Sequence, residues 1–222
     1  MATDAAEDYL RRMYLAIERS GSDQLSMGDL ANGVGVSPGS ATAMVKKLAR
    51  DGLVDYEPYA GVRLRPQGSR LALALIRRHR LIESFLVERL GMDWSEIHEE
   101  AERLEHAISD RVLERLDAFL GHPSVDPHGD PIPNAAGEVR ASSTRTLAEC
   151  ARGDLVRVVR VLDQAGEFLK FVARKGLRPG VRIAVEDVDE AGDAIRVTMR
   201  GEGEVTLGVR AAAKLAVEEA SI

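Results

Sequence analysis

The sequence has little cysteine and no long apolar segment. Its 222 residues contain one cysteine, Cys150, which excludes an intrachain disulfide and makes a reducing compartment the simpler interpretation. No apolar run approaches the roughly 20 residues that a transmembrane helix needs. The first ten residues, MATDAAEDYL, are acidic and lack the apolar core of a signal peptide. These absences together predict a cytoplasmic protein with no membrane partner.

Catalytic signatures are missing as well. The sequence contains no HExxH motif, and the stretch HEEAERLEH does not satisfy that pattern. A hydrolytic metalloenzyme also needs an open coordination position and a general base in a cleft. We therefore predict no catalytic residue and no enzymatic activity, and we keep a metal-dependent hydrolase as a weaker alternative.

Charge is distributed unevenly along the chain, although the net charge is only −6. Residues 1–80 carry 12 lysines and arginines against 9 acidic residues, whereas residues 81–140 carry 5 against 14. The remaining residues are balanced. A basic first part beside an acidic middle part indicates two kinds of partner, one anionic and one cationic.

The basic first part has the pattern of a winged helix-turn-helix. Ser26 can cap a short helix that the glycines of NGVGV end. Ser37 and Pro38 then begin a second helix, as N-cap and first helical residue, and Gly52 ends it. The stretch LVDYEPYAGVRLRPQG alternates apolar and polar residues around Gly61, which predicts a two-stranded wing. Two helices and a wing in this order predict a DNA-binding domain over residues 1–68.

The rest of the chain divides into a helical and a β-rich part. Residues 69–140 are predicted to form two helices, the second running from near Trp94 to about Leu120, followed by a breaker-rich loop, GHPSVDPHGDPIPNAAGE. Residues 141–222 contain four short strand patterns and one short helix, which fit a small SH3-like barrel. The fold class is therefore mainly α with a β domain.

Histidines and carboxylates collect on one side of the middle helices. At about 100° per residue, four potential ligands fall within an arc of roughly 100° next to the packing face, namely His98, Glu102, Glu105 and His106. On the preceding helix, His79 and Glu83 are four residues apart and share a face. Unpaired charge beside a packing face is costly, so a divalent cation is expected there. An ordinary solvated acidic face is the alternative. His122 and His128, in the breaker loop, are given no role.

The order of these segments resembles a known family. A winged helix is followed by RRHRLIESFLVERLG, then HEEAERLEHAISD, then DPHGDPIP, then a small β domain. This order closely resembles the diphtheria-toxin-repressor family of metal-dependent transcription regulators, over nearly the whole chain. The resemblance implies two metal sites per subunit, a homodimer built around the middle helices, and a C-terminal SH3-like domain of the FeoA type.

The resemblance also implies ligand sets. The primary metal site would comprise Asp8, Glu102, Glu105 and His106, and the ancillary site would comprise His79, Glu83, His98, Gln164 and Glu167. The iron-sensing branch has methionine and cysteine where Asp8 and Glu102 stand, and the manganese-sensing branch has these carboxylates. That branch tends to have glutamate in place of Arg11, which argues against a closely spaced two-metal cluster here.

These ligand types favour Mn²⁺ as the activating metal. A ligand set of carboxylates and one imidazole is harder than a set that contains a thioether and a thiolate. The harder set suits Mn²⁺ better. Fe²⁺ has similar preferences, so an Fe²⁺-activated repressor is the close alternative. A winged-helix regulator that acts without metal is a weaker alternative. The function predicted is repression of metal-uptake or metal-homeostasis genes.

Double-stranded DNA is the predicted anionic partner. Basic and small residues on the second helix and the wing are the candidate DNA contacts, namely Ser37, Gly39, Ser40, Ala43, Lys46, Lys47, Arg50 and Arg63. Lys47 and Arg50 are expected to hold phosphates rather than read bases. Ser37 has an equally good role as N-cap. Two-fold dimers are the commonest protein assembly. A two-fold dimer binds two equivalent half-sites, so the operator is expected to be a palindrome.

Overall fold

The computed structural model describes residues 3–140, 145–199 and 203–220. Its described helices are α1 (Asp4–Ser20), α2 (Met27–Val34), α3 (Pro38–Arg50), α4 (Pro66–Glu88), α5 (Ile97–Glu105), α6 (Asp110–Phe119), α7 (Gly166–Arg174) and α8 (Val209–Ala212). Its described strands are β1 (Val54–Glu57), β2 (Gly61–Leu64), β3 (Leu155–Val161), β4 (Arg182–Asp189), β5 (Ala194–Met199), β6 (Gly203–Gly208) and β7 (Leu215–Glu219). Within those ranges, no helix has both the length and the apolarity that crossing a membrane requires.

The chain forms two compact units. The first comprises the chain up to His79 with Glu105–Ile108 and Pro133–Glu138. The second comprises Arg80–Leu104, Ser109–Ile132 and the chain from Val139 onward. Each unit has its own apolar core.

The first unit contains the predicted winged helix-turn-helix, which is confirmed. Ser26 and Ser37 cap α2 and α3, and each side-chain oxygen accepts a hydrogen bond from a backbone N–H three residues later. Gly35 ends α2 in the left-handed conformation. Strands β1 and β2 pair in antiparallel register. Fully buried apolar side chains from α1, α3 and the wing form the core, among them Leu10, Met13, Val45, Leu48 and Val62.

The second unit corrects one prediction about the helices. A single helix from near Trp94 to Leu120 was expected, but the structure has α5 and α6 with a turn between them. Ser109 explains the break, because it is extended and its hydroxyl accepts a hydrogen bond from the backbone N–H of Val112. A side chain that caps a new helix competes with continuation of the old one. His106 consequently lies in the turn rather than on a helix.

The β domain of the second unit is a five-stranded antiparallel sheet in the order β6-β5-β4-β3-β7. The four strands and the short helix predicted from the sequence are present as β3–β6 and α7. Strand β7 was not predicted. Its first three side chains are all buried, so its sequence lacks the alternation of apolar and polar residues that indicates a strand. Leu169 and Val172 of α7 pack into the apolar core of this sheet.

The loop before the β domain is held tightly against β3. Gly129 has a φ of +88°, and a Cβ atom placed on it would lie 1.9 Å from the carbonyl oxygen of Val159. The backbone N–H of Val161 donates to the carbonyl of His128. Only glycine permits both the left-handed conformation and this close approach. The loop therefore presents the neighbouring side chains of Asp126 and His128 in a fixed position.

Candidate metal centres and DNA-reading surface

The first unit brings together three of the four predicted primary ligands. Asp8, Glu105 and His106 each offer a ligand atom, and these atoms all lie within 4.8 Å of one another. Asp8 Oδ1 is 3.1 Å from His106 Nε2, which is 3.6 Å from Glu105 Oε1. Asp8 comes from α1, whereas the other two residues end α5 and begin the following turn. Two carboxylates and one imidazole thus converge from segments that are distant in sequence.

Glu105 is the buried member of this group. Its side chain has no solvent exposure, and its Oε2 lies 2.6 Å from His79 Nδ1 and 3.5 Å from Arg11 Nη1. Its other oxygen, Oε1, has no hydrogen-bond donor among the residues that the structure describes. A buried carboxylate oxygen without a partner is costly. A divalent cation bound between Glu105, His106 and Asp8 would remove that cost, so these residues fit a metal.

Glu7 is a nearby carboxylate that was not among the predicted ligands. Its Oε2 lies 3.5 Å from His106 Nδ1, on the side of the ring opposite Asp8. A carboxylate behind a ligating histidine favours the tautomer that leaves the other nitrogen free for a metal. The cluster of acidic residues in the first turn of α1 was the available signal.

Glu102 and His98 contact each other in the second unit. Glu102 Oε1 is 3.4 Å from His98 Nε2, and His98 Nδ1 is 3.4 Å from Glu83 Oε1. Two of the predicted ancillary ligands, Glu83 and His98, are therefore adjacent. Glu102 was predicted in the primary set, but its carboxylate is paired with His98, and it is not among the three residues grouped around His106. His79 stands one helical turn before Glu83 on α4 and pairs with Glu105 in the first unit.

The two ligands predicted from the β domain are not placed with a metal group. Gln164 Nε2 donates a hydrogen bond to Asp130 Oδ2 at 2.5 Å. Glu167 is almost fully exposed, with Lys170 as its neighbour at 4.0 Å. Glu167 belongs to none of the groups of histidines and carboxylates that could hold a metal among the described residues. Gln164 instead connects the β domain to the loop that carries Asp126 and His128.

A third ligand group lies in that loop and includes His128, a residue that was not predicted to be a ligand. Glu83, Asp126 and His128 are all buried, and their ligand atoms lie within 4.8 Å of one another. His128 Nε2 donates to the carbonyl of Trp94 at 2.9 Å, because a carbonyl oxygen only accepts. In a neutral ring the lone pair is then on Nδ1, which faces Glu83 Oε2 at 3.9 Å. The signal in the sequence was the motif DPHGD, which places two possible metal ligands, Asp126 and His128, two residues apart.

The electrostatics of this loop also indicate a place for a cation. Burial raises the pKa of Asp126 well above the usual aspartate range, and the carboxylates of Asp130 and Glu83 raise it further. Arg80, 3.7 Å away, opposes the shift. Asp126 Oδ1 accepts two backbone N–H groups, whereas Oδ2 has no hydrogen-bond donor in the described part of the chain. Buried carboxylates in this arrangement favour a bound cation.

Most of the predicted DNA contacts lie on the open surface of the first unit. The exposed positions are Gly39, Ser40, Ala43, Lys46 and Arg50 on α3 with Ser37 before it, and Lys47 is partly buried. The opposite face of α3 is buried through Ala41, Val45 and Leu48. The Ser37 hydroxyl lies 3.2 Å from the backbone N–H of Ser40, so its N-cap role is observed directly. The N-terminal end of α3 is thus free of bulky side chains.

Arg63 on the wing is held in place by neighbours. Its Nη2 donates to Gln24 Oε1 at 2.8 Å, and its Nη1 is 3.2 Å from Asp23 Oδ2. Both of its partners lie in the segment before α2. The guanidinium remains about half exposed, at 53%, so it can still meet a phosphate.

Family models match the chain in three consecutive segments. Residues 1–62 match the iron dependent repressor N-terminal DNA binding domain. Residues 65–134 match the iron dependent repressor metal binding and dimerisation domain. Residues 145–219 match the FeoA domain. The order of these models is the order of segments on which the resemblance was based.

Individual relatives cover from about half of the chain to nearly all of it. The iron-dependent repressor IdeR of Mycobacterium tuberculosis is 30% identical over 239 residues, covering 97% of each chain. The regulator MntR of Listeria monocytogenes serotype 4a is 39% identical over 129 residues, covering 56% of this chain and 89% of its own. A manganese-dependent transcriptional repressor in complex with manganese has a TM-score of 0.86 and 42% identity, covering 97% of this chain and all of that one. ScaR with bound Zn²⁺ has a TM-score of 0.77 and 36% identity, with 97% and 99% covered.

The winged helix, the metal-ligand groups and the β domain agree with these matches. A winged helix-turn-helix, a helical metal-binding and dimerisation domain and a C-terminal SH3-like domain are the parts that the sequence predicted. The chain therefore belongs to the diphtheria-toxin-repressor family of metal-dependent DNA-binding transcriptional repressors.

Proposed function

We propose that this repressor is activated by Mn²⁺ and controls genes of metal uptake or metal homeostasis. The observation that carries the proposal is the group Asp8, Glu105 and His106, which offers two carboxylates and one imidazole and no sulfur. Hard oxygen donors suit Mn²⁺ better than the softer sulfur ligands do. The similarity to a manganese-dependent repressor is consistent with this choice.

The ligands suggest how metal controls DNA binding. Asp8 belongs to α1, which packs in the same core as the recognition helix α3. A bound cation would tie α1 to Glu105 and His106, whereas without it the carboxylates repel one another. Moving a conformational equilibrium from 1:99 to 99:1 takes about 5.5 kcal/mol of differential binding. One divalent ion held by charged ligands is sufficient for such a change.

The complete ligand sets are part of the proposal. Glu102 is proposed as the fourth primary ligand, and it would have to exchange its contact with His98 for the metal. His79, Glu83 and His98 are proposed as the ancillary site, supported by the contact between Glu83 and His98. Gln164 and Glu167 are the least supported members, because Gln164 hydrogen-bonds to Asp130 and Glu167 is exposed.

The proposed assembly is a symmetric homodimer on a palindromic operator. Large apolar side chains remain exposed on and beside the middle helices, including Leu90, Leu104, Val112 and Phe119. Such side chains are expected at an interface between subunits. Half-sites separated by about one helical turn of DNA, or a multiple of it, would then place one α3 in each major groove.

Regulation rather than catalysis is the proposed activity, acting in the cytoplasm where the DNA is. Domain boundaries at 68/69 and 140/141 are proposed from the sequence. Activation by Fe²⁺ is the second candidate, favoured by the 30% identity to an iron-dependent repressor. A hydrolase or a metal-independent regulator has no comparable support.

The test is metal-dependent binding to a defined duplex. A palindromic duplex is selected in vitro with Mn²⁺-loaded protein, and its affinity is measured by fluorescence anisotropy in Mn²⁺, Fe²⁺, Co²⁺ and Zn²⁺ at fixed salt, because DNA binding depends strongly on salt. His106→Ala should abolish activation by every metal, since it removes the imidazole of the primary site. His122→Ala is the matched control, because that exposed histidine pairs with Asp117 outside the ligand groups. Equal affinity with and without metal would contradict the proposal.

A further inference from the structure

The wing ends in a turn that carries tyrosine where the backbone favours glycine. The backbone N–H of Ala60 donates to the carbonyl of Glu57 at 3.2 Å, which closes a four-residue turn. Pro58 and Tyr59 are its central residues, and Tyr59 has a φ of +68°. A turn with proline at its second position and positive φ at its third has the form of type II, in which glycine or asparagine is the usual third residue. A bulky side chain is therefore strained at position 59.

No packing within the described chain offsets that strain. The relative exposure of Tyr59 is 107%, so its ring is as accessible as in an extended peptide. The wing contributes other residues, Val54 and Val62 among them, to the apolar core. A strained residue persists where its surroundings hold it, and such residues cluster at functional sites. The tyrosine is therefore expected to be covered by a partner of the protein.

The turn is a fixed base for this side chain. Gln24 Nε2 donates to the carbonyl of Ala60 at 2.7 Å. Gly61 has a φ of +127°, and a Cβ atom placed on it would lie 2.3 Å from the carbonyl oxygen of Leu25. The segment before α2 thus holds the turn closely. A ring presented from a fixed backbone loses little conformational freedom when it binds, so Tyr59 is suited to be an anchor.

The charges near the wing tip favour contact with uncharged groups. Arg65 pairs with Asp55 at 2.6 Å. Arg63 pairs with Asp23 at 3.2 Å. The turn itself contains one charged residue, Glu57, and that carboxylate repels a phosphate. The ring is therefore better suited to sugars and base edges than to the phosphate backbone.

We propose that Tyr59 is a DNA contact of the wing, with its ring against sugars and base edges in the minor groove beside the major groove that receives α3. Val54 and Val62 of the wing pack in the same apolar core as Leu48 of α3, so both elements meet one duplex together. The minor groove is about 6 Å wide, which admits a flat ring but not a helix. This inference rests on DNA binding and is independent of which metal activates the protein.

The experiment compares variants of the full-length protein on the selected palindromic duplex. Fluorescence anisotropy is measured at several salt concentrations, in the metal that gives wild type its highest affinity. Tyr59→Asn removes the ring and suits the positive φ. We expect its affinity to fall about tenfold or more, because one aromatic contact is lost from each subunit. The slope of log affinity against log salt should stay unchanged, because no ionic contact is lost.

Two further variants define what the ring does. Tyr59→Phe keeps the ring and removes the hydroxyl, so its affinity should stay within about threefold of wild type. His122→Asn is the matched control, because His122 is also exposed with positive φ, at +56°, and lies outside the winged helix. Its affinity should equal that of wild type.

Stability and footprinting give independent measurements. The thermal midpoint of Tyr59→Asn without DNA should equal or exceed that of wild type, because asparagine tolerates the left-handed conformation. A structural role for the ring would lower that midpoint. In hydroxyl-radical footprinting, which reports on deoxyribose in the minor groove, wild type should protect sugars beside each half-site that Tyr59→Asn leaves open.

The outcomes separate this inference from the proposed function. Wild type that binds no duplex in any of the metals overturns both. If wild type binds and Tyr59→Asn binds equally well, the role of Tyr59 is refuted and the function stands. A loss in Tyr59→Phe as large as that in Tyr59→Asn refutes the contact through the ring, since the hydroxyl would then carry the binding.

Discussion

Replacing Glu105 by glutamine tests the proposed centre most directly, because this buried side chain lies between Arg11 and the other proposed metal ligands. Glutamine keeps the size of the side chain and removes its charge. Arg11 would then lose the carboxylate charge 3.5 Å from its Nη1, and the acceptor 2.6 Å from His79 Nδ1 would lose its negative charge. Removing one partner of a buried ion pair costs about 3–5 kcal/mol, and the retained hydrogen-bonding capacity of glutamine argues for the lower end.

The expected loss of stability converts to a measurable temperature. A loss of about 3 kcal/mol corresponds to a fall of about 6–12 °C in the thermal midpoint of a chain of this size. The measurement is circular dichroism of the metal-free protein in chelator, reading the first transition, because two units need not unfold together. Glu99→Gln is the matched control, since it makes the same change on an exposed position of α5.

A second measurement on the same variant concerns the ligand role. Mn²⁺ affinity, measured by calorimetry, should fall by about 100-fold or more, because an anionic ligand is lost and even indirect partners of a metal cost 10–100-fold. A midpoint within about 2 °C of the Glu99→Gln control would refute the buried ion pair. A lower midpoint with unchanged Mn²⁺ affinity would show that Glu105 is structural and not a ligand.

Three further predictions concern other parts of the chain. Lys46→Ala with Lys47→Ala should weaken operator binding for all sequences and reduce the slope of log affinity against log salt by about 2, measured by anisotropy. Glu102→Cys should remove the Mn²⁺ response and favour softer metals; an unchanged response would exclude Glu102 as a primary ligand. Gly129→Ala should lower the thermal midpoint by several degrees more than Gly121→Ala, because both glycines have positive φ but only Gly129 meets a backbone carbonyl. Equal losses would contradict that contact.

The helices and strands follow largely from local patterns. The serine caps, the glycines that end helices and the period-two alternation of the wing predicted the winged helix, because these signals act within a few residues. The one wrong helix, from Trp94 to Leu120, shows the limit of such patterns. Apolar periodicity continues across the turn, and the Ser109 cap is a single residue within an otherwise helical sequence.

The sequence predicted the types of the candidate metal ligands, but it did not predict how the structure groups them. His98, Glu102, Glu105 and His106 were placed on one arc because a continuous helix was assumed. The turn after Glu105 separates His106 from that arc and allows it to meet Asp8, 98 residues away in sequence. The same turn leaves Glu102 with His98. No sequence pattern joins His128 to Glu83, because a breaker-rich loop has no periodicity that predicts the direction of its side chains.

By itself, the sequence determined the order of the segments, the residue types available as ligands and the class of protein that combines them. These depend on local propensity and on long motifs, which need no knowledge of contacts between distant residues. Only the tertiary structure decided how those residues are paired. Whether Arg11 neutralises Glu105, and which carboxylate oxygen remains for a metal, depends on how α1, α4 and the end of α5 approach one another. That approach is determined by core packing over the whole unit, so no local stretch of sequence contains it.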